Sequence, residues 1–325
     1  MINKLKKISF VTLPIALGVF LIWYSISKLT PSDIQSIKTS FKTANYWWVV
    51  LSLFFGILSH LSRAYRWQFL LEPLGYRPKF ANSVMTVLIA YLLNLFIPRS
   101  GEFARAATIK KYENIPFEKA IGTIVAERVA DVIMLLLITG VAFFLQTELM
   151  SGYLFKEDRE GDLYLKIIFL VGMPLAGFIT YRVLKKSKHP FIIKIFIFIK
   201  GLIDGIKSII TMQKKWAFLF HTIFIWVMYV LMFYAVTFSL PETTNLPFAA
   251  IIVAFVVGGF SMALTNGGLG TYPVFVASAL ILYHIEDNPA RAFGWIMWTA
   301  QTLMVIIFGG LSFLLIPIYN RLRHK

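Results

Sequence analysis

Glu127, Arg128 and Asp131 stand at the head of an apolar run, Val132–Leu145, that carries no charge and ends at Gln146. As a helix these 14 residues rise about 21 Å, whereas the hydrocarbon core of a bilayer is about 30 Å thick. If the run crosses a membrane, part of the Glu127–Asp131 turn lies inside it. Ionisable groups there cost on the order of 2.5–3.5 kcal/mol each, so they face a bundle interior or a wet cavity and mark function by default. A second cluster, Arg99, Glu102 and Arg105, follows another apolar run.

The spacing suggests what these charges can do. Glu127 and Asp131 are at i and i+4 and share a helix face, where two buried carboxylates repel unless a cation lies between them. Arg128 points about 100° away around the helix, so the expected counterion comes from elsewhere, with Arg99 and Arg105 the candidates. A guanidinium held by carboxylates can bind a lipid phosphate bidentately. The competing reading is a buried ion-pair network that fixes helix register. Arg63-Ala-Tyr-Arg66-Trp67 also has two readings: a positive-inside anchor with an interfacial tryptophan, or headgroup recognition.

Composition sets the frame for these residues. Hydrophobic residues make up 58% of the chain and charged residues 15%, against about 25% charged in a soluble domain. There is no cysteine, which excludes disulfides and thiol chemistry. His60, His189, His221, His284 and His324 are scattered without metal-ligand spacing, so neither a metal nor a cofactor is expected. The net charge of +16 does not point to nucleic acid, because the bases lie between apolar segments, where topology and anionic headgroups account for them.

The elements that must position the charges are membrane helices. Lys4, Lys6 and Lys7 precede an apolar stretch, Ile8–Ile26, too long for a signal-peptide core and read as a retained first helix. Further apolar segments run over 46–62, 82–98, 129–147, 167–181, 217–240, 247–265, 271–285 and 293–318. The basic stretch 182–215 is expected to be cytoplasmic and the acidic loop 148–163 external. A full crossing at 82–98 would put the basic stretch from Arg99 to Lys119 outside and deliver the acidic loop to the cytoplasm, against the charge bias. A re-entrant hairpin removes the conflict, with Pro98 and Gly101 at the turn and Phe103–Lys110 returning. The C-terminal half has a matching break at Asn266, Gly267, Gly268 and Gly270, which suits an unwound, cavity-lining segment. Interruptions in both halves suggest an inverted repeat, Asn94…Pro98…Gly101 answering Asn266…Gly268…Pro273. Phe191–Ile210, with Lys200, Asp204 and Lys207 on one side, reads as a helix lying on the cytoplasmic leaflet.

Taken in order, Arg63-x-x-Arg66-Trp67, Asn94-x-x-x-Pro98-Arg99-x-Gly101-Glu102-x-x-Arg105, Glu127-Arg128-x-x-Asp131 and Gly267-Gly268-x-Gly270 resemble the transmembrane domain of lysylphosphatidylglycerol synthases. That domain also occurs alone as a flippase-like integral membrane family. The resemblance implies an all-helical bundle that moves or accommodates an anionic or polyprenyl-phosphate lipid, with these charged residues around the headgroup. Synthases of the family carry a soluble aminoacyl-transferase domain after the membrane part. This chain stops at Lys325, so aminoacylation by the chain itself is not expected.

The expected protein is therefore one all-α, polytopic integral membrane domain over 1–325, with six or eight crossings and at least one re-entrant hairpin. Its first half is 1–147 and its second 216–325, with both termini cytoplasmic in a cytoplasmic (inner) membrane. The expected activity is lipid translocation or lipid handling. The alternatives are the membrane subunit of an aminoacyl- or glycosyl-transferase whose catalytic part is a separate chain, and an ion-coupled solute transporter.

Overall fold

The computed structural model describes residues 29–97, 99–146 and 209–323, with a few positions before residue 29 and one at 172. Most of the expected first helix, the acidic loop 148–163, the 167–181 segment, the leaflet helix and Pro98 fall outside the described residues.

Every described element is helical: α1 (Pro31–Thr43), α2 (Tyr46–Leu71), α3 (Phe80–Phe96), α4 (Ser100–Glu113), α5 (Phe117–Leu145), α6 (Lys215–Thr237), α7 (Phe248–Leu264), α8 (Thr271–Ile281) and α9 (Asp287–Arg323), with short 3-10 turns between some of them. Four of these, α2, α5, α6 and α9, are long and apolar enough to cross a bilayer. The helices α3, α7 and α8 are apolar but shorter. Contacts divide the chain into two compact units, Met1–Glu127 with Trp216–Lys325, and Arg128–Lys215.

Local chemistry sets the helix ends. Thr30 accepts from the Asp33 amide while the Asp33 carboxylate accepts from the Thr30 amide, a capping box that starts α1. Asn45 caps α2 through the Trp47 amide. Pro116 precedes α5, which begins at Phe117 and not near residue 129 as its strongest apolar run suggests. Its 29 residues rise about 44 Å, so the Glu127 turn lies well inside the helix.

In the first unit, α2 and α6 run antiparallel. Trp48 packs on Phe238 at one end, with ring centroids 4.8 Å apart. Arg66 reaches Thr222 near the other.

The helices α3 and α4 form an antiparallel hairpin closed at both ends. At its tip the Gly101 amide donates to Asn94 Oδ1 over 2.8 Å, and the Ser100 hydroxyl donates to the Leu93 carbonyl. At its base Glu113 accepts from the Lys79 amide and from the Asn82 side chain. Gly101 is required by close approach, since a Cβ there would fall on the Ala90 carbonyl of α3. The helices α7 and α8 form a second hairpin. Thr271 Oγ1 donates to the Ser261 carbonyl at 3.1 Å, and Tyr272 and Val276 flank Gly258.

Helix α9 works as a ruler for both hairpins. Gly294 packs on Pro273 of the second hairpin, and Trp298 Nε1 donates to the Gly267 carbonyl at its tip. Further along, Gly309 packs on Leu88 and Leu92 of α3, Asn320 exchanges amide hydrogen bonds with Asn82, and Arg323 pairs with Glu113 at 3.2 Å. The hairpins thus lie along α9 from opposite ends, and their tips meet near its middle.

Candidate functional site

The polar face of α2 is the foundation of the site. Ser59, His60, Ser62, Arg63, Arg66 and Trp67 are all buried on an otherwise apolar helix of 26 residues. An interfacial anchor would leave Arg63, Arg66 and Trp67 at the surface. Instead they are 3%, 0% and 0% exposed, because α2 continues to Leu71 and its end is covered by α4, α5 and α6.

Arg105 and Glu127 form the centre. Arg105 Nη1 donates to Glu127 Oε2 over 2.6 Å, and both side chains are almost wholly buried. The Arg105 guanidinium lies 3.7 Å above the Trp67 ring, a cation–π contact out of water. Arg66 Nε approaches Glu127 Oε1 at 3.6 Å.

Two threonines complete the frame. Thr123 donates to the Ala120 carbonyl of its own helix and accepts from Trp67 Nε1 at 2.8 Å. Thr222 likewise donates to Phe218 O and accepts from Arg66 Nη1 at 3.0 Å. Each hydroxyl spends its proton on its own backbone, leaving its lone pairs for the neighbouring cation or indole. Breaking the buried Arg105–Glu127 ion pair by removing one partner costs about 3–5 kcal/mol.

The remaining candidates are distributed as follows. Glu102 is half-buried on α4. Arg128 and Asp131 belong to the second unit, where they pair with each other at 3.8 Å. The i,i+3 neighbour reaches Asp131 because a long side chain can bend back along the helix face. Arg99 does not join the buried centre. It is exposed at the first hairpin's tip with φ 59°, a left-handed conformation that L side chains rarely adopt. Asn94 is occupied in closing that tip.

The second break does what its glycines allow. Gly267, Gly268 and Gly270 all have positive φ, of 59°, 73° and 70°. Asn266 is buried and donates from Nδ2 to the Phe96 carbonyl at 3.2 Å, tying the two tips together.

Sequence reasoning missed Thr123, Thr222, His60, His221, Tyr91 and Tyr229. One signal for His60 was present: residues 59, 63 and 66 repeat at helical spacing, which marks a polar stripe on an apolar helix. The partners on α3, α5 and α6 are single polar residues in apolar runs and give no such pattern.

The sequence pattern described as the lysylphosphatidylglycerol synthase TM region matches residues 11–310. The chain belongs to this family. A UPF0104 membrane protein of Methanocaldococcus jannaschii is 29% identical over 143 residues, covering 43% of this chain and 40% of that relative. No solved structure matches the chain. Membership in the lysylphosphatidylglycerol synthase TM-region family, with the four long apolar helices, makes this a multi-pass integral membrane protein.

Proposed function

We propose that the protein binds a lipid with an anionic phosphate headgroup, a phospholipid or a polyprenyl phosphate, and moves it across a cytoplasmic membrane. The observation that supports this best is Arg105, buried, charged, oriented by Glu127 and stacked on Trp67. A guanidinium has five donors in a fixed fork, so one edge can hold a carboxylate while another meets a phosphoryl oxygen. Arg63 and Arg66 supply two more buried guanidiniums on the adjoining helix.

On this reading the hairpins are re-entrant. Helices of 17 and 14 residues in the first, and 17 and 11 in the second, rise about 25, 21, 25 and 17 Å, short of a bilayer core. The two enter from opposite faces and meet at Asn266 and Phe96. Arg77, Lys79, Lys110, Lys111, Arg321 and Arg323 cluster at the base of the first hairpin, which supports a cytoplasmic position for that end. The end of α9 at Arg323 then lies on the cytoplasmic side.

The test is reconstitution into liposomes carrying fluorescent phosphatidylglycerol in one leaflet. Wild-type protein should equilibrate it across the bilayer faster than fluorescent phosphatidylcholine, and Arg105→Ala should lose the advantage. Rates equal to protein-free liposomes would sink the proposal. The family description favours one second reading, a membrane module that presents lipid to a transferase on a separate chain. Co-purification of such a chain, with no transport by the isolated protein, would favour it.

A further inference from the structure

We propose that the junction of the two hairpin tips is a binding site for a monovalent alkali cation, held by oxygens from both tips. The site goes beyond the lipid reading and does not depend on it.

The oxygens come from two helix ends. The last carbonyls of a helix lack intrahelical donors and carry the negative end of its dipole. At the first tip, the Asn94 carbonyl would find its next donor at residue 98, a proline without an N–H. Among the described residues no donor reaches the Asn94 or Leu95 carbonyl. At the second tip, Thr265 leaves the helix with φ −131° and ψ 170°, and Ser261 is the last α7 carbonyl to accept a backbone amide. Among the described residues the carbonyls of Met262, Ala263 and Leu264 accept none.

The amides at the tips do not offset these oxygens, because they are spent locally. Ser100 and Gly101 donate to the Ile97 carbonyl and to Asn94 Oδ1. Gly268 and Leu269 donate to the Thr265 and Asn266 carbonyls. Arg99 is exposed at the first tip, and among the described residues it makes no hydrogen bond to the free carbonyls. The junction has acceptors in excess.

Asn266 is the independent sign of a ligand. It is 6% exposed, and its Oδ1 has no hydrogen-bond partner. Its Nδ2 donates to the Phe96 carbonyl at the end of α3, so the amide lies between the two helix ends with its oxygen free. Turning the amide over would set Oδ1 against that carbonyl and leave both oxygens without a donor. A buried acceptor left empty is costly and requires an explanation. The tips also touch here, since a Cβ on Gly267 would fall on the Leu95 side chain.

The donor set selects the ion. Amide and backbone carbonyl oxygens are hard, neutral ligands that can replace the hydration shell of an alkali cation. Calcium and magnesium sites are built on carboxylates, and there is no acid in residues 80–101 or 260–285. Because the oxygens belong to two hairpins, the site is complete only while the tips meet. The ion acts as a latch that adds to the Asn266–Phe96 hydrogen bond, and parting the tips releases it.

The experiment is thermal melting of the purified full chain in sodium, potassium, lithium or choline chloride at one ionic strength. One alkali cation should raise the melting temperature above that in choline, by about 2–4 °C for each tenfold in concentration beyond its dissociation constant. Asn266→Leu should melt alike in every salt. Asn266→Asp keeps the oxygen while giving up the tie to Phe96, and should retain the alkali response. Asn288→Ala removes another amide with an unpartnered oxygen and should also retain it. Where Asn266→Leu does not fold, hydrogen–deuterium exchange of the wild type reports instead. The alkali salt should then slow exchange at the two tips relative to choline and leave α1 unchanged. Identical melting of wild type in all four salts overturns the site. So does an alkali response kept by Asn266→Leu or lost in Asn266→Asp, and so does protection that appears away from the tips.

Discussion

The Asn266 side-chain amide donates to the Phe96 carbonyl over 3.2 Å, joining residues 170 positions apart at the tips of two oppositely directed hairpins. Phe96 is the last residue of α3, where helical carbonyls lack intrahelical partners. The second break supplies a donor where the first break leaves an acceptor. The two interruptions are therefore parts of one junction.

Opposed hairpins make a topological prediction. The chain has no cysteine, so single cysteines can be placed without background. A cysteine at Lys111, near the base of the first hairpin, should react only with reagent from the cytoplasmic side. One at Glu242, exposed between α6 and α7, should react only from outside. Reaction of both from the same side would remove the re-entrant arrangement.

The tight hairpin predicts a sharp contrast between two glycines. Gly101→Ala drives a methyl into the Ala90 carbonyl and should cost at least about 1–3 kcal/mol by overpacking. Gly122→Ala meets nothing within 4 Å and should be neutral or stabilising by up to about 1 kcal/mol. Thermal melting of the two variants in one detergent decides the matter. Equal melting temperatures would mean that α3 and α4 do not pack this closely.

Removing the carboxylate at the centre leaves Arg105 and Arg66 without their shared counterion. Glu127→Gln should therefore lower stability by about 3–5 kcal/mol and weaken lipid binding with it. Arg105→Lys keeps the charge but loses the planar fork, so it should slow lipid transport more than it lowers the melting temperature, whereas Arg99→Lys, exposed and apart, should leave the melting temperature unchanged. If Glu127→Gln loses only stability and Arg105→Lys transports normally, the central charges serve structure alone.

A pH prediction comes from α1, outside the long apolar helices. Hydrogen bonds from Thr30 and Asn288 hold the Asp33 carboxyl down at about 2, below its ordinary 3.8. A depressed carboxylate contributes stability that is fully present above its unfolded value and is lost as pH falls through the folded one. The α1 cap should thus be intact at pH 5 and lost between about pH 4 and 2. A fluorophore on Gln35→Cys should report this transition, and Asp33→Asn should abolish it. An acid profile unchanged by Asp33→Asn would assign the transition to another group.

The breaks at Asn94–Gly101 and Asn266–Gly270 were legible because proline and glycine interrupt apolar runs at defined places. Glu127 and Arg105 were legible as charges that hydropathy does not tolerate. Burial of Arg63, Arg66 and Trp67 was not, because cations near a helix end look the same whether the end is wet or covered by another helix. The extent of α5 was obscured by Glu118 and Lys119, which lower its early hydropathy without preventing helix. The Arg128–Asp131 pair was missed because angular position on a helix describes Cβ atoms and not the reach of a long side chain.

Helix α9 seats the second hairpin at Gly294 and Trp298 and the first at Gly309 and Asn320. Each added residue turns a helix by about 100° and advances it by about 1.5 Å. One insertion or deletion between Trp298 and Gly309 would swing one seat out of line with the other and pull Asn266 away from Phe96. Related chains that keep the junction should therefore vary freely in the loops beyond both ends of α9, yet hold the number of residues in this span constant.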